Sequence, residues 1–296
     1  MKNISVMGCG TMGNGIAQTF AQFDYNVILY DISQDNLEKA KLTIDRNLDR
    51  MVKKEVISKE IKSDTLNKII TTTDFTLIRN SDLVIEAISE NIELKKSIFS
   101  KLDLECDSNT ILASNTSSIS ITELADSTKR KDKVIGMHFM NPVPIMKLVE
   151  IINSKYTSKS TTEKIVNLSN QLNKIPLTVN DFPGFISNRI LMPMINEAIE
   201  ALNDGVSEVK NIDGIMKLGM GHPMGPLQLA DLIGLDVCKS ILEVMYKGLN
   251  KEKYMPNPLL NDMVKKGSLG IKSGEGFYDY SDSKKAEMVS KRFRND

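Results

Sequence analysis

The sequence predicts an α/β fold with a doubly wound, mostly parallel sheet, followed by an all-α domain. In the first half, short apolar runs typical of strands alternate with longer helical patterns, which indicates βαβ units. After NDFPGF (180–185) helical periodicity dominates, as in the run 183–205. Because 296 residues are more than one small core requires, we expect two domains, at 1–182 and 183–296.

Seven apolar runs are predicted to be strands of one sheet. Most are separated by helix-sized segments, which indicates right-handed crossovers between parallel strands. The connector between the last two is too short for a crossover, so we expect that pair to be antiparallel and the final strand to form an edge. The runs lie at residues 4–8, 26–31, 69–73, 83–88, 110–114, 134–139 and 147–152.

A long segment at about 34–68 separates the second and third predicted strands. Six of its residues recur at about 3.5-residue spacing, which predicts a helix of about five turns. A second helical pattern, SKEIKSDTLNKI, follows. We therefore expect a helical hairpin that projects from the sheet. The six periodic residues are Leu37, Lys41, Ile44, Leu48, Met51 and Val52.

Composition excludes several classes of function. The 38 basic and 38 acidic residues balance, so no field favours nucleic acid or an anionic membrane. No apolar stretch reaches the roughly 20 residues of a membrane helix, and the first strand begins too early for a signal peptide. The three cysteines lack metal-type spacing and predict reduced thiols, no metal site and a cytoplasmic protein. We expect the polar tail 281–296 to be frayed.

A glycine loop follows the first predicted strand. Gly8, Gly10 and Gly13 form G-x-G-x-x-G before a helical pattern, and Asp31 closes the second strand. This arrangement is typical of a Rossmann-like dinucleotide-binding domain. A carboxylate there accepts from ribose hydroxyls and repels a 2′-phosphate, so NAD is favoured over NADP. The residues expected to hold the cofactor here are Gly8, Gly10, Thr11, Met12, Gly13 and Asp31.

Polar residues follow three further predicted strands. In open α/β sheets, ligands bind beyond the carboxyl ends of the strands, so these side chains are expected to converge there. Ordinary loop composition would explain any one of the three loops, but not all three together. The residues are Glu90, Lys95, Asn115, Ser117, Ser118, His138 and Asn141.

His138 and Glu150 interrupt the two strands expected to be antiparallel neighbours. A carboxylate beside an imidazole fixes its tautomer and raises its basicity, and oxidation of an alcohol by a nicotinamide needs such a base. A satisfied core pair is the alternative. Asn188 lies on the same predicted helix face as an apolar stripe that begins one turn later. A role in substrate binding and a role in packing are equally compatible with this position. His222 lies in a predicted turn between helices and is not expected to be catalytic.

With these residues in hand, the sequence resembles the short-chain L-3-hydroxyacyl-CoA dehydrogenases over nearly its whole length. The nearest are bacterial members acting on 3-hydroxybutyryl-CoA. The resemblance lies in long family-specific segments: GCGTMGNGIAQ, LVIEAISENIELK, ASNTSS, GMHFMNPVPIMKLVEI, PGFISNR, KLGMGHPMGP and KSGEGFYDY. It implies reversible, NAD-dependent oxidation of a 3-hydroxyacyl-CoA thioester, with NADH and acetoacetyl-CoA on the product side, and a homodimer formed through the helical domain.

The resemblance also implies roles for individual residues. The catalytic positions match Ser117, His138, Glu150 and Asn188, with Ser117 and Asn188 binding substrate and closure of the cleft completing the site. Positions in or beside the NAD pocket match Asp31, Glu90, Lys95, Asn115, Asn141 and Lys272. Coenzyme A contacts match Lys54, with Arg50 and Lys53 on the same segment, although an ordinary solvated face is also compatible with these three.

Three other classes of protein remain as alternatives. β-Hydroxyacid dehydrogenases share the glycine loop but have an active site based on a lysine. The His138–Glu150 pair argues against membership of that class. A dehydrogenase of the same fold could act on a sugar acid or another hydroxy acid. A non-enzymatic NAD-binding or structural relative need not keep the catalytic positions, and here all four are filled.

Overall fold

The computed structural model describes residues 1–294 and divides the chain into two compact units, 1–182 and 183–296. The first unit holds an eight-stranded sheet with the strand order β3-β2-β1-β4-β5-β6-β7-β8. The first six strands follow the order of doubly wound dinucleotide-binding folds. The strands are β1 Asn3–Met7, β2 Asn26–Tyr30, β3 Ile69–Thr72, β4 Leu83–Glu86, β5 Ile111–Ser114, β6 Val134–Phe139, β7 Leu148–Asn153 and β8 Ile175–Asn180.

All neighbouring strands are parallel except β6 and β7, which are antiparallel as predicted. The prediction of an edge at β7 is wrong, because β8 pairs with β7 in parallel and forms the edge itself. The sequence does not predict this strand, because it contains Pro176 and because its apolar residues Ile175 and Leu177 are exposed rather than buried. Proline is tolerated in edge strands because its missing N–H faces away from the ladder.

Six helices belong to the first unit. They are α1 Thr11–Gln22, α2 Gln34–Lys53, α3 Lys59–Asn67, α4 Ile92–Glu105, α5 Ile121–Asp126 and α6 Lys159–Gln171. The helical hairpin is therefore confirmed as α2 and α3, with Ser33 and Ser58 capping their N-termini. It packs against α1 rather than projecting, because Leu37, Ile44 and Leu48 on the inner face of α2 join the core of the sheet.

The second unit is built mainly from helices around its own apolar core. Its elements are α7 Ser187–Asn203, α8 Val209–Met220, α9 Pro226–Ile233, α10 Leu235–Leu249, α11 Pro258–Lys265, β9 Tyr278–Asp279 and β10 Met288–Val289. The fold class predicted from the sequence is confirmed, with the short β9–β10 ribbon as an addition. Over the described residues, no helix combines the length and apolarity needed to span a membrane.

The expectation of a frayed tail is wrong for residues 281–294. β10 pairs with β9, and the Ser290 hydroxyl donates to the Glu275 carboxylate at 2.6 Å. Phe293 lies against Phe277, with the ring centroids 5.6 Å apart. Val289 and Phe293, two apolar residues within this polar segment, attach the tail to the core of the unit. The prediction from overall polarity did not take them into account. Residues 295–296, also part of that expectation, lie outside the described residues.

Two buried carboxylates organise the second unit. Asp213 accepts from the backbone N–H groups of Leu227 and Gln228, which begin α9, and from the Tyr278 hydroxyl at 2.7 Å. Asp231 accepts from the N–H groups of Phe277 and Tyr278. The segment GEGFYDY therefore has a structural role in which its backbone and tyrosine hydroxyl groups satisfy buried acids.

Candidate active site

The three glycines of the loop after β1 have different steric reasons to be glycine. Gly8 has a φ of +91°, and a Cβ there would lie 2.6 Å from the Ala87 carbonyl oxygen. A Cβ on Gly13 would lie 1.7 Å from the Gly8 oxygen. A Cβ on Gly10 would meet no atom within 4 Å, so this backbone borders open space. That is the pattern in which the middle glycine admits a pyrophosphate.

The N-terminus of α1 faces the same loop. Gly10 is its N-cap, no side chain caps it, and no acidic residue lies in its first turn. The first N–H groups and the positive end of the helix dipole, beginning at Thr11 and Met12, therefore suit a phosphate group. The residues of this loop fit the pyrophosphate of a dinucleotide.

Asp31 lies directly after β2 and is tied to the glycine loop. One carboxylate oxygen accepts from the Cys9 backbone N–H at 3.0 Å, and the other accepts from the Ser33 N–H at 3.1 Å. With the Cys9 thiol as a third partner, the carboxylate keeps one acceptor position for a ribose hydroxyl. Burial, followed by the neighbouring Asp31, raises the pKa of the Cys9 thiol to about 12. Cys9 is therefore a neutral thiol at physiological pH.

His138 and Glu150 face each other across the β6–β7 ladder. They are register partners, and His138 Nδ1 lies 3.0 Å from a Glu150 carboxylate oxygen. Both are nearly buried, at 9% and 3% exposure. Because β6 runs parallel to β5, β4 and β1, His138 lies near the edge of the sheet from which the glycine loop emerges. A buried imidazole held by a carboxylate is suited to proton exchange.

Glu90 links the loop after β4 to the loop after β5. One oxygen accepts from the Thr116 hydroxyl, from the Ser117 backbone N–H at 3.2 Å and from the Ser118 hydroxyl at 3.0 Å. The other lies 3.2 Å from the Lys95 ammonium. Burial opposes ionisation, but the Lys95 charge and the hydroxyl donors outweigh it and hold the pKa of Glu90 below its usual range. The structure therefore joins four of the predicted residues, Glu90, Lys95, Ser117 and Ser118.

Three residues of this network were missed in the sequence: Glu86, Ser114 and Thr116. Glu86, at the end of β4, is completely buried and lies 2.5 Å from Lys95 Nζ. Its second carboxylate oxygen accepts from the Ser114 hydroxyl at 2.6 Å. A glutamate within the apolar run LVIEAI is the same signal that drew attention to Glu150, and it could have identified Glu86.

Asn115 and Asn141 lie on either side of the end of β6. The Asn115 side-chain oxygen accepts from the Phe139 N–H at 2.9 Å, which fastens β5 to β6 one residue beyond His138. Asn141 lies exposed in the loop after β6. Lys174, a further residue missed in the sequence, is buried and donates to the carbonyls of Val143 at 2.5 Å and Met146 at 2.8 Å in this loop.

The remaining predicted residues lie apart from this cluster along the chain. Arg50, Lys53 and Lys54 are exposed at the C-terminal end of α2. In the second unit, Asn188 is 7% exposed in the first turn of α7. Lys272 pairs with Asp236 of its own unit at 2.6 Å. His222 lies in the connection between α8 and α9, as predicted.

These features define a Rossmann-type dinucleotide-binding domain with a histidine–carboxylate pair at its ligand edge, a class that includes many NAD-dependent dehydrogenases. Residues 3–182 match the family model of the 3-hydroxyacyl-CoA dehydrogenase NAD binding domain. Residues 184–280 match the model of the C-terminal domain of the same enzymes. The chain belongs to the 3-hydroxyacyl-CoA dehydrogenase family.

Several relatives are similar over nearly their whole length. The 3-hydroxybutyryl-CoA dehydrogenase of Clostridioides difficile is 49% identical over 278 residues, which cover 94% of this chain and 99% of the relative. The probable 3-hydroxybutyryl-CoA dehydrogenase of Bacillus subtilis is 50% identical, with 95% and 98% covered. The crystal structure of (S)-3-hydroxybutyryl-CoA dehydrogenase PaaH1 from Ralstonia eutropha has a TM-score of 0.92 at 47% identity, with 95% and 99% covered.

Proposed function

We propose that this protein catalyses the reversible, NAD-dependent oxidation of (S)-3-hydroxybutyryl-CoA to acetoacetyl-CoA. The observation that carries the proposal is the buried His138–Glu150 pair, 3.0 Å apart near the edge of the sheet that bears the glycine loop. Membership of the family and the names of relatives at about half identity support the reaction and the short acyl chain.

His138 is the proposed general base. NAD supplies the hydride acceptor when it is bound, and the C3 hydroxyl of the substrate loses its proton to the imidazole as the hydride leaves C3. In the reduction the imidazolium returns that proton to the forming alcohol. Glu150 engages Nδ1, which assigns the proton exchange to Nε2 and stabilises the charged ring. The protein therefore contributes the proton transfer and the orientation of the reacting groups.

Ser117 and Asn188 are proposed to hydrogen-bond the substrate oxygens and so aim C3, a positioning contribution. Asn188, in the first turn of α7, is the fourth residue of the proposed catalytic set. Asp31 is proposed to bind the adenosine ribose, with the glycine loop at the pyrophosphate. The other residues proposed to line the cofactor pocket are Glu90, Lys95, Asn115, Asn141 and Lys272.

The coenzyme A moiety is proposed to meet the basic end of α2. Arg50, Lys53 and Lys54 are all exposed there within one turn, and guanidinium and ammonium groups suit the phosphates of a coenzyme A thioester. Replacing Lys54 by alanine should raise the KM for acetoacetyl-CoA without raising that for NADH. An equal change in both KM values would reject this contact.

A homodimer formed through the second unit is also proposed. α8 exposes Ile215 and Leu218, which lie three residues apart on one face of the helix, with Leu218 at 91% exposure. Exposed apolar side chains that share a face are typical of an association surface. Light scattering on a Leu218→Lys variant should give the monomer mass, whereas an unchanged dimer would place the interface elsewhere. We place the enzyme in the cytoplasm, which suits its three free, buried cysteines.

The experiment that tests the function is NADH oxidation with acetoacetyl-CoA, compared with free acetoacetate and with oxidised sugar acids at equal concentration. The proposal predicts turnover with the thioester and very little with the free acids. Preference for a free acid would favour the dehydrogenase of other hydroxy acids. Tight NADH binding without turnover on any of them would favour a non-enzymatic relative.

A further inference from the structure

Glu86 is a buried acid for which fold stability alone is a poor explanation. It ends β4, is completely inaccessible to solvent, and faces Lys95, whose side chain is 1% exposed. Removing both charges from water costs several kcal/mol for each ion, so a buried ion pair is often no more stabilising than apolar residues of similar size. A pair of this kind within the apolar run LVIEAI therefore calls for another role.

The position of Glu86 in the sheet suggests what that role is. Its register partners are Met7, just before the glycine loop, and Ser114, just before the Asn115–Ser118 loop. Glu86 thus lies between the two strands whose ends carry the cofactor loop and Ser117. One carboxylate oxygen receives Lys95 and the Ile88 N–H, and the other receives the Ser114 hydroxyl. All three of these donors come from residues at or just beyond the carboxyl ends of β4 and β5.

A continuous set of contacts leads from Glu86 to Ser117. Lys95 Nζ lies 2.5 Å from Glu86 and 3.2 Å from Glu90. The oxygen of Glu90 that faces away from Lys95 accepts from the Ser117 N–H at 3.2 Å. Glu86, being wholly buried, is the fixed end of this set, whereas the Glu90 side chain is 40% exposed. The ammonium therefore links a fixed, buried carboxylate to a partly exposed one that contacts the Ser117 loop.

We infer that Glu86 is a positioning residue which, through Lys95 and Glu90, fixes the loop that presents Ser117 to the substrate. The inference rests on the function proposed above. Without the Glu86 charge, Lys95 no longer has two carboxylate partners, and its ammonium moves toward Glu90. The Glu90 carboxylate shifts with it, so its hydrogen bonds to the Ser117 loop weaken. Because small misplacements of a positioning group cost up to about 10²-fold in rate, the effect is measurable in turnover.

The test is a double-mutant cycle of Glu86→Gln and Ser117→Ala, read as kcat/KM for acetoacetyl-CoA with NADH binding measured by fluorescence. Glu86→Gln alone should lower kcat/KM by at least about tenfold. In the Ser117→Ala background the same change should cost less than about threefold, since coupled residues are non-additive. Equal costs in the two backgrounds, or an unchanged kcat/KM, would overturn the inference.

A matched control separates positioning from stability. Ser81 precedes β4 at its amino end, away from the carboxyl ends that carry the site, and its hydroxyl lies 2.6 Å from the hydroxyl of Ser5 in a buried contact. Ser81→Ala should lower the melting temperature and leave kcat/KM unchanged, and an equal loss of activity in this variant would make the effect of Glu86 structural.

If Glu86→Gln does not fold, Ser114→Ala takes its place in the cycle, because it removes one hydrogen bond to Glu86 and leaves the charges intact. Coupling to Ser117 then supports the inference, and additivity overturns it. Wild-type turnover with acetoacetyl-CoA is measured first. Its absence rejects the proposed function together with the inference, whereas an active wild type with an additive cycle rejects the inference alone.

Discussion

Glu150 lies directly opposite His138 in the β6–β7 ladder, with 3.0 Å between a carboxylate oxygen and Nδ1. The antiparallel turn between two buried strands therefore places an acid and a base side by side. A strand pairing shifted by one residue would turn one of them to the other face of the sheet. The ladder register is thus part of the proposed catalytic machinery.

Replacing Glu150 by glutamine keeps the shape of the side chain but removes the charge that stabilises the imidazolium. We expect kcat with acetoacetyl-CoA to fall by about 10²-fold or more, with NADH binding unchanged. Steady-state kinetics and fluorescence titration provide the two measurements. A kcat within twofold of wild type would show that the carboxylate has only a packing role.

Replacing Asp31 by alanine should weaken NADH binding, because hydrogen bonds to charged groups contribute about 1.5–3 kcal/mol. We expect kcat/KM for NADH to fall about tenfold or more, and the preference for NADH over NADPH to narrow. Asp35→Asn, at an exposed position a few residues further along, is the control and should change neither. A wild type that uses NADPH more efficiently than NADH would contradict the role given to Asp31.

Lys174 predicts a dependence of stability on pH. Burial, and to a lesser extent the charge of Lys147, lowers the pKa of Lys174 to about 8 from 10.5. Between these values the unfolded chain binds more protons than the folded one, so this group's contribution to stability rises with pH. The free energy of unfolding, measured with urea, should therefore rise in wild type relative to Lys174→Met as the pH increases from 8 to 10.5.

A difference between these two proteins that stays constant or shrinks over that range would contradict the burial of a charged Lys174. Lys41→Met, at an exposed position on α2, is the control for the loss of one positive charge. The pH dependence caused by the buried site is read as the difference between the Lys174→Met and Lys41→Met variants.

The tail beyond Tyr280 is predicted to stabilise the second unit. The matching family model ends at that residue, yet β10 and Phe293 pack on β9 and Phe277. A chain ending at residue 280 should melt about 2–3 °C lower, the shift expected from about 1–2 kcal/mol in a protein of this size. Lys284→Ala, at an exposed tail position, should not change the melting temperature; equal melting of the shortened chain would reject the role.

The parts of the fold with local causes could be predicted from the sequence. Gly8, Gly10 and Gly13 follow from the steric needs of one turn, and the short connector made β6 and β7 antiparallel. β8 was missed because an edge strand is defined by what lies beside it, and Pro176 argues against a central strand. Lys174 was missed for a related reason, since its partners are carbonyl groups, which leave no signal in a sequence.

The candidate site was predictable where a polar residue interrupts an apolar strand, as at His138 and Glu150. The same signal at Glu86 was overlooked because no partner for it was evident nearby in sequence. Its partners, Lys95 and Ser114, are brought to it by the helix α4 and by the neighbouring strand. Such pairings depend on strand order and helix orientation, which residue patterns specify only indirectly.

The most direct test of the central claim is the turnover of a His138→Gln variant with acetoacetyl-CoA and NADH, measured beside its affinity for NADH. Glutamine fills much of the same volume but cannot exchange a proton near neutral pH. We expect kcat to fall by about 10² to 10⁴-fold, the usual cost of losing a general acid–base group, with the NADH dissociation constant unchanged. A kcat near that of wild type would contradict the assignment of His138 as the catalytic base.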